Sequence, residues 1–358
     1  MMAELSDLNV DVAILGAGPA GLCAARACQD RGLSYVLLDR RGLAQSFFEY
    51  PHALRFFSPP DEMEIGGVPL PVAGGEKPTR EHYLAYLRAV VRACGIELAT
   101  WESVRSFTRE ADGTFALRTR LGPHDGAGRA IQARAVVLAT GVWSEPIELG
   151  VPGSDGPNVF SEFYEPTGFT GHRVLVIGGG NSAVGAALSL MEARASVTLS
   201  MRRTPKDYRS GLRPFVKRDL DFAVDEGKID LRTETVVTKI TPLSATLQPV
   251  QYTGSDDLSE GAMEDYAEAG EPFTVACRFV FALLGHRADT AFLAHTMRLP
   301  LRPDGRPQVN LATWETPVRN LFLAGSLADP SIDIVLRIRE QAGEVVQTIA
   351  TRLLGEKR

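Results

Sequence analysis

The chain has 358 residues, a net charge of −6 at pH 7 and a 44% share of hydrophobic residues, the make-up of a globular protein long enough for two domains with full cores. The acidic balance excludes the footprint of a nucleic-acid or anionic-membrane binder, and no apolar run reaches spanning length. The start, Met1-Met2-Ala3-Glu4-Leu5-Ser6-Asp7, lacks a signal-peptide pattern. Cys23, Cys28, Cys94 and Cys277 form no C-x-x-C pair, and the six histidines show no metal-ligand spacing. Buried, reduced thiols, a cytoplasmic location and no metal are therefore expected. Cys23 and Cys28, five apart on one helix, are expected to face different sides.

The apolar run Val12 to Leu15 reads as a buried parallel strand that breaks at Gly16 into a small-residue helix, Leu22 to Gln29. Gly16, Gly18 and Gly21 fit G-x-G-x-x-G, with Pro19 and Ala20 between the last two. In that pattern the first glycine allows the tight turn, the second admits a pyrophosphate to the backbone, and the third lets helix and strand pack. The helix N-terminus then offers N–H groups to the phosphates. The strand Tyr35 to Leu38 ends in Asp39, placed to bind a ribose 2′-OH, with Arg40 and Arg41 next.

Gly42 to Gly75, which includes Gln45, is irregular and aromatic (Phe47, Phe48, Tyr50, Phe56, Phe57), and its prolines exclude a continuous helix. Such a loop could cover a flat ring system or bury a satellite hydrophobic cluster. A helix runs from Thr79 to near Gly95 with an apolar stripe at Leu84, Leu87, Val91 and Cys94. Strands follow around Ser103–Phe107 and Thr114–Arg118, a turn lies at Gly122–Gly128, and the buried strand from Ala135 ends at Thr140-Gly141. Residues 145–170, with four prolines, read as a linker.

The first unit then recurs at constant offset: Gly16 maps to Gly178, Gly18 to Gly180, Gly21 to Ala183 and Asp39 to Met201, with Asn181 and Ser182 opening the helix. The second copy has lost the acid, and Arg202 and Arg203 follow at once. An acid there would repel a 2′-phosphate, which guanidinium groups would hold. The first copy thus suits FAD and the second NADPH; a solvated arginine pair is the plainer alternative. Further on, a helix at Asp219–Glu226, a strand at Val236–Ile240 and an acidic loop or hairpin at Ser255–Glu271 are expected. A strand Phe279–Leu284 ends at Gly285, Asn320 to Ser326 holds a last strand, and a helix runs from about Asp333 to Leu354.

Two nucleotide units, an Ala139-Thr140-Gly141 turn between them and Leu321-Phe322-Leu323-Ala324-Gly325 before a last helix together resemble thioredoxin-reductase-like flavoproteins. The resemblance implies an α/β fold of two Rossmann-like dinucleotide-binding domains of three-layer ββα type. The NADPH-binding domain (151–287) would be inserted into a split FAD-binding domain (1–150 and 288–358). It also implies that Arg40, Gln45, Val104, Thr140, Gly141, Gly325, Ser326 and the Arg339–Ala342 region lie about the flavin nucleotide, and Gly285 near NADPH.

Within that family, three stretches are similar to bacillithiol-disulfide reductases. They are Tyr50-Pro51-His52, then Phe56-Phe57-Ser58 with Glu62 to Gly66, then Arg202 with Tyr208, Ser210, Arg213 and Pro214. The implied activity is NADPH-dependent reduction of a low-molecular-weight disulfide through FAD, in redox homeostasis. The partner is a small-molecule electron acceptor, and a homo-oligomer is compatible. That group usually carries a cysteine just before the third glycine, where this chain has Ala20, and the flavin rather than a side chain would carry the hydride. Cys23 is the candidate for a thiol relay and also reads as a packing residue. A flavin reductase or oxidase serving oxygen, a quinone or a protein carrier is the alternative, and a non-enzymatic NADPH sensor the second.

Overall fold

The computed structural model describes residues 5–122, 126–204, 211–253, 266–289, 297–302, 305–332 and 334–355. Tyr208, Ser210, Asp333 and most of the acidic stretch 255–271 lie outside the described residues. The chain divides into two compact units, Met1–Ser144 with Ala288–Arg358, and Glu145–Arg287.

In the first unit, β1 (Leu8–Leu15), α1 (Pro19–Asp30) and β2 (Tyr35–Asp39) form a parallel βαβ. After α2 (Gln45–Phe48) and α3 (Arg80–Cys94) come β3 (Leu98–Thr100), β4 (Glu102–Arg109), β5 (Phe115–Leu121) and β6 (Ala130–Leu138). The sheet order is β3-β2-β1-β6-β5-β4. Strand β6 is long enough to serve three neighbours. It runs parallel to β1 throughout, its first half pairs antiparallel with β5, and its last three residues pair with the terminal strand Leu321–Leu323.

Alternation along β1 sends Val12 and Ile14 to one side, against α1, α3 and the terminal helix Val335–Gly355, and Ala13 and Leu15 to the other, against Phe107, Phe115 and Leu117. Each fully buried Leu or Ile there contributes ~1.5–3 kcal/mol. Both sides of the sheet are covered, which explains why β1 reads as a continuous apolar run.

Cys23 and Cys28, five apart on α1, are both buried, because nearly every side of that helix is covered by core. Two expectations need correction. Helix α3 buries Tyr83, Tyr86, Leu87 and Val90, while Leu84, Val91 and Cys94 are only partly buried. The tyrosines win the core because their hydroxyls find partners there: Tyr86 Oη donates to Val68 O at 2.8 Å and accepts from Ile65 N at 2.6 Å. Finally, residues 145–170 are more than a linker, since Glu145–Pro146 (β7) and Val159–Phe160 (β8) both pair within the second unit.

The second unit repeats the plan with β9 (Arg173–Ile177), α4 (Asn181–Glu192), β10 (Ser196–Ser200), α5 (Pro214–Asp225) and β11 (Ile229–Arg232). An antiparallel layer follows: β12 (Thr235–Ile240), β13 (Ser244–Tyr252), β14 (Tyr266–Glu268) and β15 (Phe273–Ala276). Strand β16 (Phe279–Ala282) then returns to the parallel sheet, whose order is β11-β10-β9-β16-β8, and His286–Arg287 (β17) pairs with β7. Val174 and Val176 face the helices; Leu175 and Ile177 face the antiparallel layer. Helix α5 starts five residues before the expected Asp219 because Pro214, with its fixed φ, occupies the first helical position. No helix among the described residues is long and apolar enough to cross a membrane.

Candidate functional site

Gly16 ends β1 at φ +108°, and a Cβ placed on it would lie 2.4 Å from the Ala139 carbonyl oxygen. Gly21 has no room either, since its Cβ would fall 1.9 Å from Gly16 O. Gly18 is different: a Cβ there meets nothing within 4 Å, so the space beside it is open rather than filled by protein. Gly18 is also the N-cap of α1 and Pro19 its first residue, with no side chain capping the N–H groups of the first turn. Elsewhere the chain does cap: α3 has a full capping box between Thr79 and His82. Free amides with positive partial charge beside an open glycine are what a diphosphate requires, and the residues fit that group.

The carboxylate of Asp39 faces this loop. Its Oδ2 accepts from Ala17 N at 2.8 Å and its Oδ1 from Arg41 N at 2.8 Å, bracing the loop while keeping acceptor capacity for a ribose hydroxyl. The loop is ringed by other sequence-predicted residues. Ala44, just before Gln45, donates its N–H to Ala17 O, and Thr140 Cα stands 3.1 Å from the Cβ position of Gly16. Gly141 follows at φ +70°. Gly325 comes so close to Ala20 that a Cβ on it would lie 2.9 Å from that of Ala20, and Ser326 continues its 3-10 turn. Val104 lies at a bulge in β4, and the 41% exposed Phe57 lies with Ser58 in the bend before Pro60–Met63. The aromatic stretch makes its own cluster, with Phe47 packed at tilted and edge-on angles among Tyr50, Phe56 and Tyr83, and Tyr50 edge-on to Trp143.

Two residues of the Arg339–Ala342 region, which the resemblance pointed to, complete the first unit through contacts the resemblance did not specify. Buried Gln341 clamps the Gly325 turn, accepting from Gly325 N at 3.0 Å and donating to Leu323 O at 2.9 Å. Arg339 donates to Glu64 O at 2.8 Å, tying the terminal helix to the loop before α3. No local sequence signal marks either role, since each partner lies far away in the chain.

Loop geometry repeats in the second unit. Gly178 has φ +138° and a Cβ position 2.4 Å from Leu283 O, Gly180 stands open, and α4 begins with no side-chain cap. Asn181 accepts from Arg213 N at 2.9 Å, which fastens the segment before α5 to the head of α4. Exposed Ser182 follows it, and Gly285 at φ +93° accepts from Ile147 N at 2.9 Å.

Where Asp39 stood, Met201 is buried and has no carboxylate to offer. The arginines differ as well. In the first unit Arg40 pairs with Asp289 at 3.1 Å and Arg41 with Glu49, so both charges are met by protein. In the second, Arg202 lies over the ring of Tyr266, 5.0 Å from its centroid, and no ion pair to it occurs among the described residues. Arg203 places Nη1 3.3 Å from the Cβ position of Gly211.

Cys23 is buried on α1 of the first unit, and burial pushes its thiol up to about 12 despite the opposing charge of Arg339. Cys28 is likewise pushed up to about 12 by burial, against the charge of Arg31, and both thiols are protonated at neutral pH. Cys23→Ser is therefore expected to keep its flavin content and most of its turnover; lost turnover with flavin intact would refute this. Alkylation at neutral pH should reach partly exposed Cys94 first, as peptide mapping would show. Unfolded thiols ionise near ~8.5. Stability from these raised folded-state values is complete below that pH and lost as pH climbs toward about 12. Melting temperatures across alkaline buffers test the sign.

Two glycine loops, each feeding a helix uncapped by side chains, define a protein with two dinucleotide-binding units. Residues 13–325 match the family described as pyridine nucleotide-disulphide oxidoreductase, and the chain belongs to it. It is 31% identical over 315 residues to bacilliredoxin reductase Bdr of Bacillus subtilis (strain 168), covering 88% of this chain and 89% of that protein. Its fold matches bacillithiol disulfide reductase Bdr from Bacillus cereus with a TM-score of 0.85 at 29% identity, over 96% of this chain and 99% of that one. Bacillithiol disulfide reductase Bdr from Staphylococcus aureus gives a TM-score of 0.82 at 28% identity, over 98% of this chain and 100% of that one. The expected α/β fold of paired Rossmann-like units is the one observed.

Proposed function

We propose that the chain is an NADPH-dependent FAD oxidoreductase that reduces a low-molecular-weight disulfide of the bacillithiol type. The observation that carries this reading is the opposed equipment of the two loops, acid with neutralised arginines in one and buried Met201 with Arg202 in the other. Likeness to the Bdr proteins over nearly the whole chain supports the acceptor class.

Bound flavin would supply the hydride chemistry; the chain's own residues bind, orient and exclude water. Gly16, Gly18, Gly21 and the head of α1 would hold a diphosphate through backbone N–H groups, and Asp39 a ribose hydroxyl. Gln341 fixes the Gly325–Ser326 turn against Ala20, and that turn borders the same loop. Gly178, Gly180 and the head of α4 would hold the second diphosphate, with Arg202 and Arg203 toward a 2′-phosphate.

Stopped-flow bleaching of the flavin is expected to be faster with NADPH than NADH, and equal rates or an NADH preference would sink the cofactor assignment. Anaerobic NADPH oxidation with bacillithiol disulfide, glutathione disulfide, a quinone or ferredoxin then tests the acceptor, and turnover is expected with the first. A second reading, a flavin reductase or oxidase with no thiol relay, is favoured by Ala20 and by the protonated state of Cys23. Turnover with the quinone or ferredoxin but not the disulfide would establish it.

A further inference from the structure

We propose that Tyr266 is a specificity-determining residue: its ring holds the Arg202 guanidinium in the position that receives a nucleotide 2′-phosphate. The inference rests on the NADPH reading above and assigns a role to a residue outside both glycine loops. Arg202 leaves β10 immediately after the buried Met201, at the position where the first unit uses a paired arginine. Its guanidinium carbon lies 5.0 Å from the Tyr266 centroid. A ring face attracts the cation without using its N–H groups, so the donor edge remains for a bidentate grip on a phosphate. A carboxylate partner would instead occupy those donors, as Asp289 and Glu49 do for Arg40 and Arg41.

Tyr266 is itself held. It opens β14 directly opposite Tyr252 of β13, and the two rings pair at 5.2 Å across the strands. The antiparallel layer, absent from a minimal mononucleotide-binding unit, thereby presents one aromatic face to one arginine. Holding the long arginine side chain before the ligand arrives reduces the entropy lost on binding. That gain goes only to a nucleotide that touches the guanidinium, and NADP+ does so where NAD+ does not.

The test uses the FAD-loaded full chain and calorimetric titration with NADP+ and with NAD+. Tyr266→Leu keeps a strand-compatible apolar side chain without a π face; Tyr266→Phe keeps the face without the hydroxyl. Tyr266→Leu is expected to weaken NADP+ on the order of five-fold, the ~1 kcal/mol of a cation–π contact at ~1.4 kcal/mol per factor of ten. NAD+ affinity should not change, and Tyr266→Phe should behave as wild type. Equal weakening of both nucleotides by Tyr266→Leu, no weakening at all, or a Phe variant as poor as the Leu variant would overturn the proposal. Arg202→Ala separates the two levels. If it abolishes the NADP+ preference while Tyr266→Leu does not reduce it, only the role of Tyr266 fails. If Arg202→Ala leaves the preference intact, the nucleotide assignment fails and the proposal with it.

Discussion

Gly16→Ala is expected to yield protein without bound flavin and with a markedly lowered melting temperature. The added methyl would meet the Ala139 carbonyl oxygen at 2.4 Å on a residue held at φ +108°. A left-handed or mirror-β backbone on a residue with Cβ costs ~1–3 kcal/mol before any clash is counted. That carbonyl cannot easily swing away, because Ala139 N donates to Leu15 O at 2.8 Å and the residue extends β6. Gly18→Ala is the control. Its φ of −82° suits any residue and its Cβ would meet no protein atom within 4 Å, so the fold should survive while flavin affinity falls. The ratio of flavin to protein absorbance, with thermal melts of both variants, separates the outcomes. Normal flavin content in Gly16→Ala would refute the assignment of that loop.

The second large effect lies away from the loops. Glu102, 2% exposed in β4, receives Arg129 Nε and Nη2 at 2.9 Å each and the Thr119 hydroxyl at 2.7 Å. Truncating the acid leaves the mostly covered Arg129 guanidinium, 11% exposed, without its counter-charge, a loss of up to ~3–5 kcal/mol. Glu102→Ala should therefore shift the denaturant midpoint strongly downward. Replacing both Glu102 and Arg129 with apolar residues should recover part of the loss, because the unpaired charge goes with its partner. A midpoint unchanged in Glu102→Ala would show the pair to be inert.

Both βαβ units were legible because their signals are local. An apolar run, glycines at fixed offsets and a charged or uncharged strand end all fall within about forty residues. The Thr140-Gly141 turn and the Gly325 strand were read through resemblance, and the structure places both beside the first loop. What stayed hidden depends on distant neighbours. The clamp of Gln341 on Gly325, the neutralisation of Arg40 by Asp289 and the approach of Tyr266 to Arg202 each join residues without a shared local pattern. Helix α3 was misread for a different reason. Two apolar stripes of equal spacing overlap on it, and periodicity cannot rank a tyrosine with buried carbonyl partners against a leucine.

The three-way pairing of β6 has a consequence for biogenesis. During synthesis β6 emerges with β1 and β5 already available, but the strand that completes its far half, Leu321–Leu323, lies beyond the entire inserted unit. Val136, Val137 and Leu138 must wait as an open, apolar strand edge while 143 residues are made and folded. Non-local closures of this kind are slow. The inserted unit is encoded as one uninterrupted stretch and can mature first, leaving the split unit to close when the last strand and helix arrive. A chain truncated before Leu321 would leave a sheet missing one strand and a core missing its terminal helix, poised for edge-to-edge association instead of catalysis.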